Sequence, residues 1–329
     1  MKRPLSISVL AFVSFTAFAL ADSPAKPAAP TRAPSAPDVV ELAPPNPGFH
    51  YRYTVDGGVP GAKSGPYLAP VTLPAGYKLR AVAVSDDRQQ VGEELAVDGP
   101  VLTGAKTPSS LVPCTQDRDF PVYDWAKRHA AVTALAKEHK ATLVFVGDSI
   151  TQMWGGEPHD RSQPGKDVWE KYYGQRNAAN LGFGYDFTEN TLWRLQHGEL
   201  DGAAAKLVIV NIGTNNAGKN TAPEIVEGVK AVLAEIRRSQ PKAAILLLGI
   251  YPRGPKPDTT REKLAAVNRD LAQLDGQDNL TFLDVTAKLL QPDGSITKET
   301  MGDYLHPTAK GYEIICEAIE PTVKKLLGE

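Results

Sequence analysis

Ser149, Asp303 and His306 are the side chains of this sequence whose types and spacing could do covalent chemistry together. Ser149 ends the run "TLVFVGDS", so a hydroxyl follows an apolar segment at a point where Gly147 lets the chain turn sharply. Its bland alternative is the N-cap of a helix. Asp303 and His306 stand three apart in "MGDYLHP". At that spacing the carboxylate can accept from imidazole Nδ1–H and leave Nε2 as a base. Pro307 keeps His306 out of helical geometry and opens the last helix. The alternative here is a surface histidine at a helix start. Gly182, in "NLGFG", and Asn215, in "VNIGTNN", each follow an apolar run and could turn an N–H group into a cleft. For Asn215 the alternative is a turn. Taken together, a nucleophile, a base with its orienting carboxylate and two N–H donors are what acyl transfer requires.

Competing readings fail on single residues. A dinucleotide fingerprint from Gly182 and Gly184 needs a third glycine at 187, where Phe187 stands. A phosphate loop over Gly213, Gly218 and Lys219 needs a hydroxyl next, and the residue is Asn220. None of the six histidines pairs with Cys or Glu at metal-ligand spacing, so neither a metal nor another cofactor is expected. Trp154, Phe183 and Tyr185 flank the candidate residues and are candidates for the pocket wall, with core packing as the alternative for each.

These residues need a scaffold that brings strand ends together. From about residue 118 the pattern alternates amphipathic segments with apolar runs: "ATLVFVG", "NAANLGFG", "KLVIVNIG", "AAILLLGI" and "LTFLDV". Five strands separated by helices predict a doubly wound α/β domain with a parallel sheet, spanning 115–329. Ligands of such sheets sit at the C-terminal strand ends, where all four motifs fall. Residues 49–105 alternate with period two between glycine turns and predict a small β-sandwich with a thin core. Residues 22–48 hold eight prolines and read as a disordered or semi-rigid linker, so the parts it joins are expected to fold independently. Residues 1–21 carry Lys2 and Arg3, then an uncharged stretch ending Ala19-Leu20-Ala21. That is the pattern of a signal peptide cut near Ala21, which predicts export and no membrane span in the mature chain. A net charge of −2 argues against a nucleic-acid partner. Export permits a disulfide between Cys114 and Cys316; two buried thiols are the other possibility.

Two resemblances add to this reading. The segments "GDSITQ", "GTNN" and "DYLHP", with Ser149, Gly182, Asn215 and His306 in order, resemble the four blocks of the SGNH (GDSL-type) hydrolases over about 115–329. The segments "LWRLQHGELDG", "GIYPRG" and "REKLAAVN" are most similar to platelet-activating-factor acetylhydrolase catalytic subunits and their bacterial relatives. The resemblance implies a flavodoxin-like fold and an esterase with Ser149, Asp303 and His306 as triad. It also implies an oxyanion hole of Ser149 N–H, Gly182 N–H and the Asn215 side chain. Relatives often read Gly-Gly-Asp where this chain has Gly184-Tyr185-Asp186, which puts a bulky ring near the cleft. The segments "YRYTVDGGVPG", "GPYLAPVTLPAG" and "YKLRAVAVSDD" resemble the Ig-like module at the C-terminus of chitobiases and β-hexosaminidases. That module is an accessory and names no ligand. The combined expectation is an exported esterase for short acyl groups, acetyl above all, on a small-molecule or glycan ester. A lipid acylhydrolase or thioesterase is the runner-up, and an inactive glycan-binding protein a third reading.

Overall fold

The computed structural model describes residues 26–329; the expected signal peptide lies outside the described residues. The N-terminal part has strands β1 (Val39–Val40), β2 (Phe49–Thr54), β3 (Gly65–Pro66), β4 (Val71–Thr72), β5 (Lys78–Ser85) and β6 (Val91–Asp98). They form a four-stranded sheet in the order β3-β2-β5-β6 and a two-stranded sheet, β1-β4. Tyr53, Val55, Leu73, Leu79 and Ala81 fill the core of this module.

The expected linker is a correction. Val40 and Leu42 are buried in that same core, and β1 pairs with β4 through Val39↔Thr72 and Val40↔Val71. The Pro27 carbonyl accepts from Glu93 N–H, and Leu42 N–H donates to the Tyr67 hydroxyl. Val40, Glu41 and Leu42 alternate in-out-in, a strand signal that the surrounding prolines masked. Proline is compatible with short edge pairing.

The second part runs α1 (Trp125–His139), β7 (Leu143–Gly147), α2 (Ser149–Gln152), α3 (Lys166–Tyr173), β8 (Ala178–Gly182), α4 (Thr188–Gln196), β9 (Leu207–Asn211), α5 (Ala222–Ser239), β10 (Ala244–Leu248), α6 (Thr259–Leu271), β11 (Leu280–Leu283) and α7 (Ala309–Leu327). The five strands pair in parallel in the order β11-β10-β9-β7-β8. The residues of β7 alternate between two cores. Val144 and Val146 pack with α1, α4, α5 and α6, whereas Leu143 and Phe145 pack with α3 and α7. Burial on both faces explains why the strands read as continuous apolar runs. The strand order reverses at β7, with β8 on one side and β9 on the other, so the gap between the C-terminal ends of β7 and β9 is the topological switch point.

Cys114 and Cys316 are separate thiols. Cys316 is buried on α7, and Cys114 lies in the segment joining the two parts. Among the described residues no helix is long and apolar enough to cross a membrane.

Candidate active site

Ser149 follows β7 at that switch point. A Cβ at Gly147 would stand 2.4 Å from the Asn211 carbonyl, so only glycine fits the strand end. The helix cap is Asp148, not Ser149: Asp148 Oδ1 accepts from Ile150 N–H at 2.9 Å. The Ser149 side chain is therefore free for another partner, and its Oγ lies 2.8 Å from His306 Nε2. His306 Nδ1 lies 2.7 Å from Asp303 Oδ2. With Nδ1–H donating to the carboxylate, Nε2 is left to accept the serine proton. Asp303 is itself fixed, because its Oδ1 accepts from the backbone N–H groups of Leu305 and His306. Burial pushes the Asp303 carboxyl up, but those N–H groups and the imidazole outweigh it, and its pKa falls below the ordinary carboxylate range.

The loop after β8 departs from the expected arrangement. Gly182 N–H already donates to Asn180 Oδ1 at 2.9 Å. A Cβ there would stand 2.2 Å from Gln152 N, so this glycine serves the packing of α2 on β8. Its assignment as an oxyanion donor is corrected. Phe183 N–H donates to Gly147 O, Gly184 N–H to Gln152 Oε1 and Asp186 N–H to Phe183 O. Among the described residues the Tyr185 N–H has no acceptor, and Tyr185 sits at φ 61° with its ring half exposed. Asn215 Nδ2 donates one hydrogen to the Asp186 carbonyl at 2.9 Å and keeps a second. A cleft of about 350 Å³ borders Tyr185, Phe187, Asn215 and Arg253.

Trp154 and Phe183 do not line this cleft. Trp154 packs in the interior against Phe145, Tyr173 and Tyr312. Phe183 packs beside Trp125 and under the Arg194 guanidinium. Of the three aromatic candidates only Tyr185 reaches the surface there.

Beneath the loop lies a polar group the sequence did not mark. Asp186 is fully buried, with Oδ1 accepting from Gln116 Nε2 and Trp125 Nε1 and Oδ2 from Arg194 Nε. Burial pushes its carboxyl up, against the pull of Arg194. Gln116 also donates to Gly184 O, and Arg118 donates to Tyr185 O. Both come from an irregular segment far away in sequence, which carried no periodic signal.

The model of the GDSL-like lipase/acylhydrolase family matches residues 145–314, and that of the Fn3-associated family matches 40–92. Over 235 residues the chain is 33% identical to human platelet-activating factor acetylhydrolase IB subunit alpha1, covering 69% of this chain and 94% of that relative. It is 35% identical over 206 residues to the rat alpha2 subunit, covering 62% and 86%. In three dimensions it is similar to a GDSL-like lipase from Bacteroides thetaiotaomicron, with a TM-score of 0.50 at 17% identity over 60% of this chain and 97% of that one. At that identity the likeness speaks to the fold alone.

Proposed function

Because this chain belongs to the GDSL-like lipase/acylhydrolase family and is an ester hydrolase, we propose that it is an exported serine esterase which removes short acyl groups, chiefly acetyl, from oxygen esters of carbohydrates or glycoconjugates. The observation that carries this is the chain from Ser149 Oγ to His306 Nε2, at 2.8 Å, and from His306 Nδ1 to Asp303, at 2.7 Å. Ser149 Oγ attacks the ester carbonyl while His306 takes its proton. The carbonyl oxygen becomes an oxyanion, received by Ser149 N–H, Tyr185 N–H and the spare hydrogen of Asn215 Nδ2. His306 then passes the proton to the leaving alkoxide, and the acyl group stays on Ser149. Water, deprotonated by His306, attacks the acyl-enzyme; His306 returns the proton to Ser149 as the acid leaves. Asp303 holds the tautomer and stabilises the imidazolium.

The short-acyl preference rests on the polar, glycine-rich segments that border the strand ends, 155–167 and 215–224, and on relatives named as acetylhydrolases. The sequence pattern of residues 1–21 supports export, and an exported chain with a β module favours a glycan ester. The test compares 4-nitrophenyl acetate with 4-nitrophenyl octanoate below any micelle concentration. Acetate should have the higher kcat/KM. Each methylene buried in an apolar groove would add up to about 0.8 kcal/mol, so a lipid acylhydrolase would favour octanoate. Ser149→Ala should abolish turnover and labelling by a fluorophosphonate while the fold survives. Turnover within tenfold of wild type would remove Ser149 as nucleophile.

A further inference from the structure

The segment joining the two parts touches both at once. Asp117 is buried, and its Oδ2 accepts from Arg52 Nη1 at 2.8 Å and Arg88 Nη1 at 2.6 Å, both on the β module. The Arg88 guanidinium also lies over the Phe120 ring, and Thr115 N–H donates to the Tyr53 hydroxyl. The residues on either side of Asp117 face the other way. Gln116 Nε2 and the Tyr123 hydroxyl both donate to Gly184 O, at 2.9 and 2.8 Å. Arg118 Nη1 donates to Tyr185 O at 3.0 Å and to Asn190 Oδ1 at 3.1 Å. Gly184 C=O and Tyr185 N–H belong to one planar peptide, in which carbonyl and amide point in opposite directions. Gripping the carbonyl from the 116–123 side therefore turns the amide away from that side, and it is the amide that has no acceptor among the described residues.

We infer that the β module is a positioning element of the esterase site. Through Asp117, Arg52 and Arg88 hold residues 116–118, and these fix the two peptides that flank the Tyr185 Cα, Gly184–Tyr185 through Gln116 and Tyr185–Asp186 through Arg118, with the Tyr185 N–H ready for the oxyanion. This rests on the proposed role of the Tyr185 N–H. Arg52, Arg88 and Arg118 are positioning residues, since none of them is placed on the reacting atoms.

The experiment measures kcat and KM for 4-nitrophenyl acetate in the full chain. Loss of one oxyanion donor costs about 10²–10³ in rate, and a misaimed donor should cost about tenfold. Arg118→Ala, a change at an exposed residue, should lower kcat about tenfold with KM within twofold, and Arg118→Lys should recover part of it. Arg52→Ala with Arg88→Ala should give the same pattern. Combining all three changes should cost little more than the larger single effect, because all of them aim the same Tyr185 N–H. The arginine pair leaves a buried carboxylate unpaired; if that variant does not fold, adding Asp117→Asn removes the stranded charge. Wild-type kcat in the folded arginine variants, a change in KM alone, or simple additivity would overturn the proposal. Asn215→Ala separates the two readings. A slow Asn215 variant beside unimpaired arginine variants removes only the module's role, whereas a fast one removes the oxyanion assignment itself.

Discussion

Asp148 shows how one residue can carry a cost beside a reactive group. It is fully buried, only Oδ1 has a partner, and Oδ2 has none among the described residues. Burial pushes its carboxyl up to about 7; Ile150 N–H opposes this and the charge of Asp186 adds to it. In the unfolded chain the same group ionises near pH 4. The folded state therefore holds the proton more tightly, and stability falls as pH rises from about 4 to about 7, then levels off. Asp148→Asn removes this ionisation and keeps the acceptor for Ile150 N–H. The variant should gain stability relative to wild type by about 2–3 kcal/mol more at pH 8 than at pH 5, read from urea melts at both pH values. An unchanged difference would mean that Asp148 is ionised throughout.

At the scale of elements, the loop between β8 and α4 separates what glycine is for from where it stands. Gly182 is glycine because α2 packs against it. The residue of this loop with the left-handed backbone, and with an N–H that has no acceptor among the described residues, is Tyr185. A bulky residue at positive φ is strained. Its retention requires the surroundings to hold it, as Gln116, Tyr123 and Arg118 do by gripping the adjoining carbonyls. Tyr185→Gly keeps the amide and removes the ring. It should leave kcat on 4-nitrophenyl acetate within about threefold and stability within about 1 kcal/mol, as relief of strain and the entropy of glycine oppose each other. A loss of 10² or more in kcat would assign the catalytic contribution to the phenol ring.

For the whole molecule, the two parts expected to fold independently share a buried interface. Val112, from the connecting segment, completes the core of the β module, and Asp117 sits between the module's arginines while its Oδ1 accepts from Trp125 N–H at the start of α1. A module of this size buries little core of its own and is marginal alone. Calorimetry of the full chain should show one unfolding transition, and the isolated module, residues 26–105, should not fold. Two separate transitions would show that the interface contributes little.

The five strands of the parallel sheet, the β module and the Asp303–His306 pair were legible in the sequence because each rests on local rules, whereas Ser149 meets His306 from 157 residues away. Hydrophobic period marks the strands and helices, and a histidine three residues after an aspartate already limits where its ring can go. Residues 26–48 were misread as a linker because local composition outweighed a short alternating pair, Val40 and Leu42, whose partners lie elsewhere in the chain. Trp154 and Phe183 were placed at the cleft by adjacency in sequence, and Gly182 by the family resemblance. The side to which each faces is decided by a strand-to-helix turn and by the packing of α2 on β8. Which N–H remains unpaired, and that Arg52 and Arg88 meet Asp117, depends on contacts between residues distant in sequence. Such contacts exist only once the chain is folded. Period and spacing determine the elements and the chemical types they carry; only tertiary packing decides which groups are already satisfied and which are left free to react.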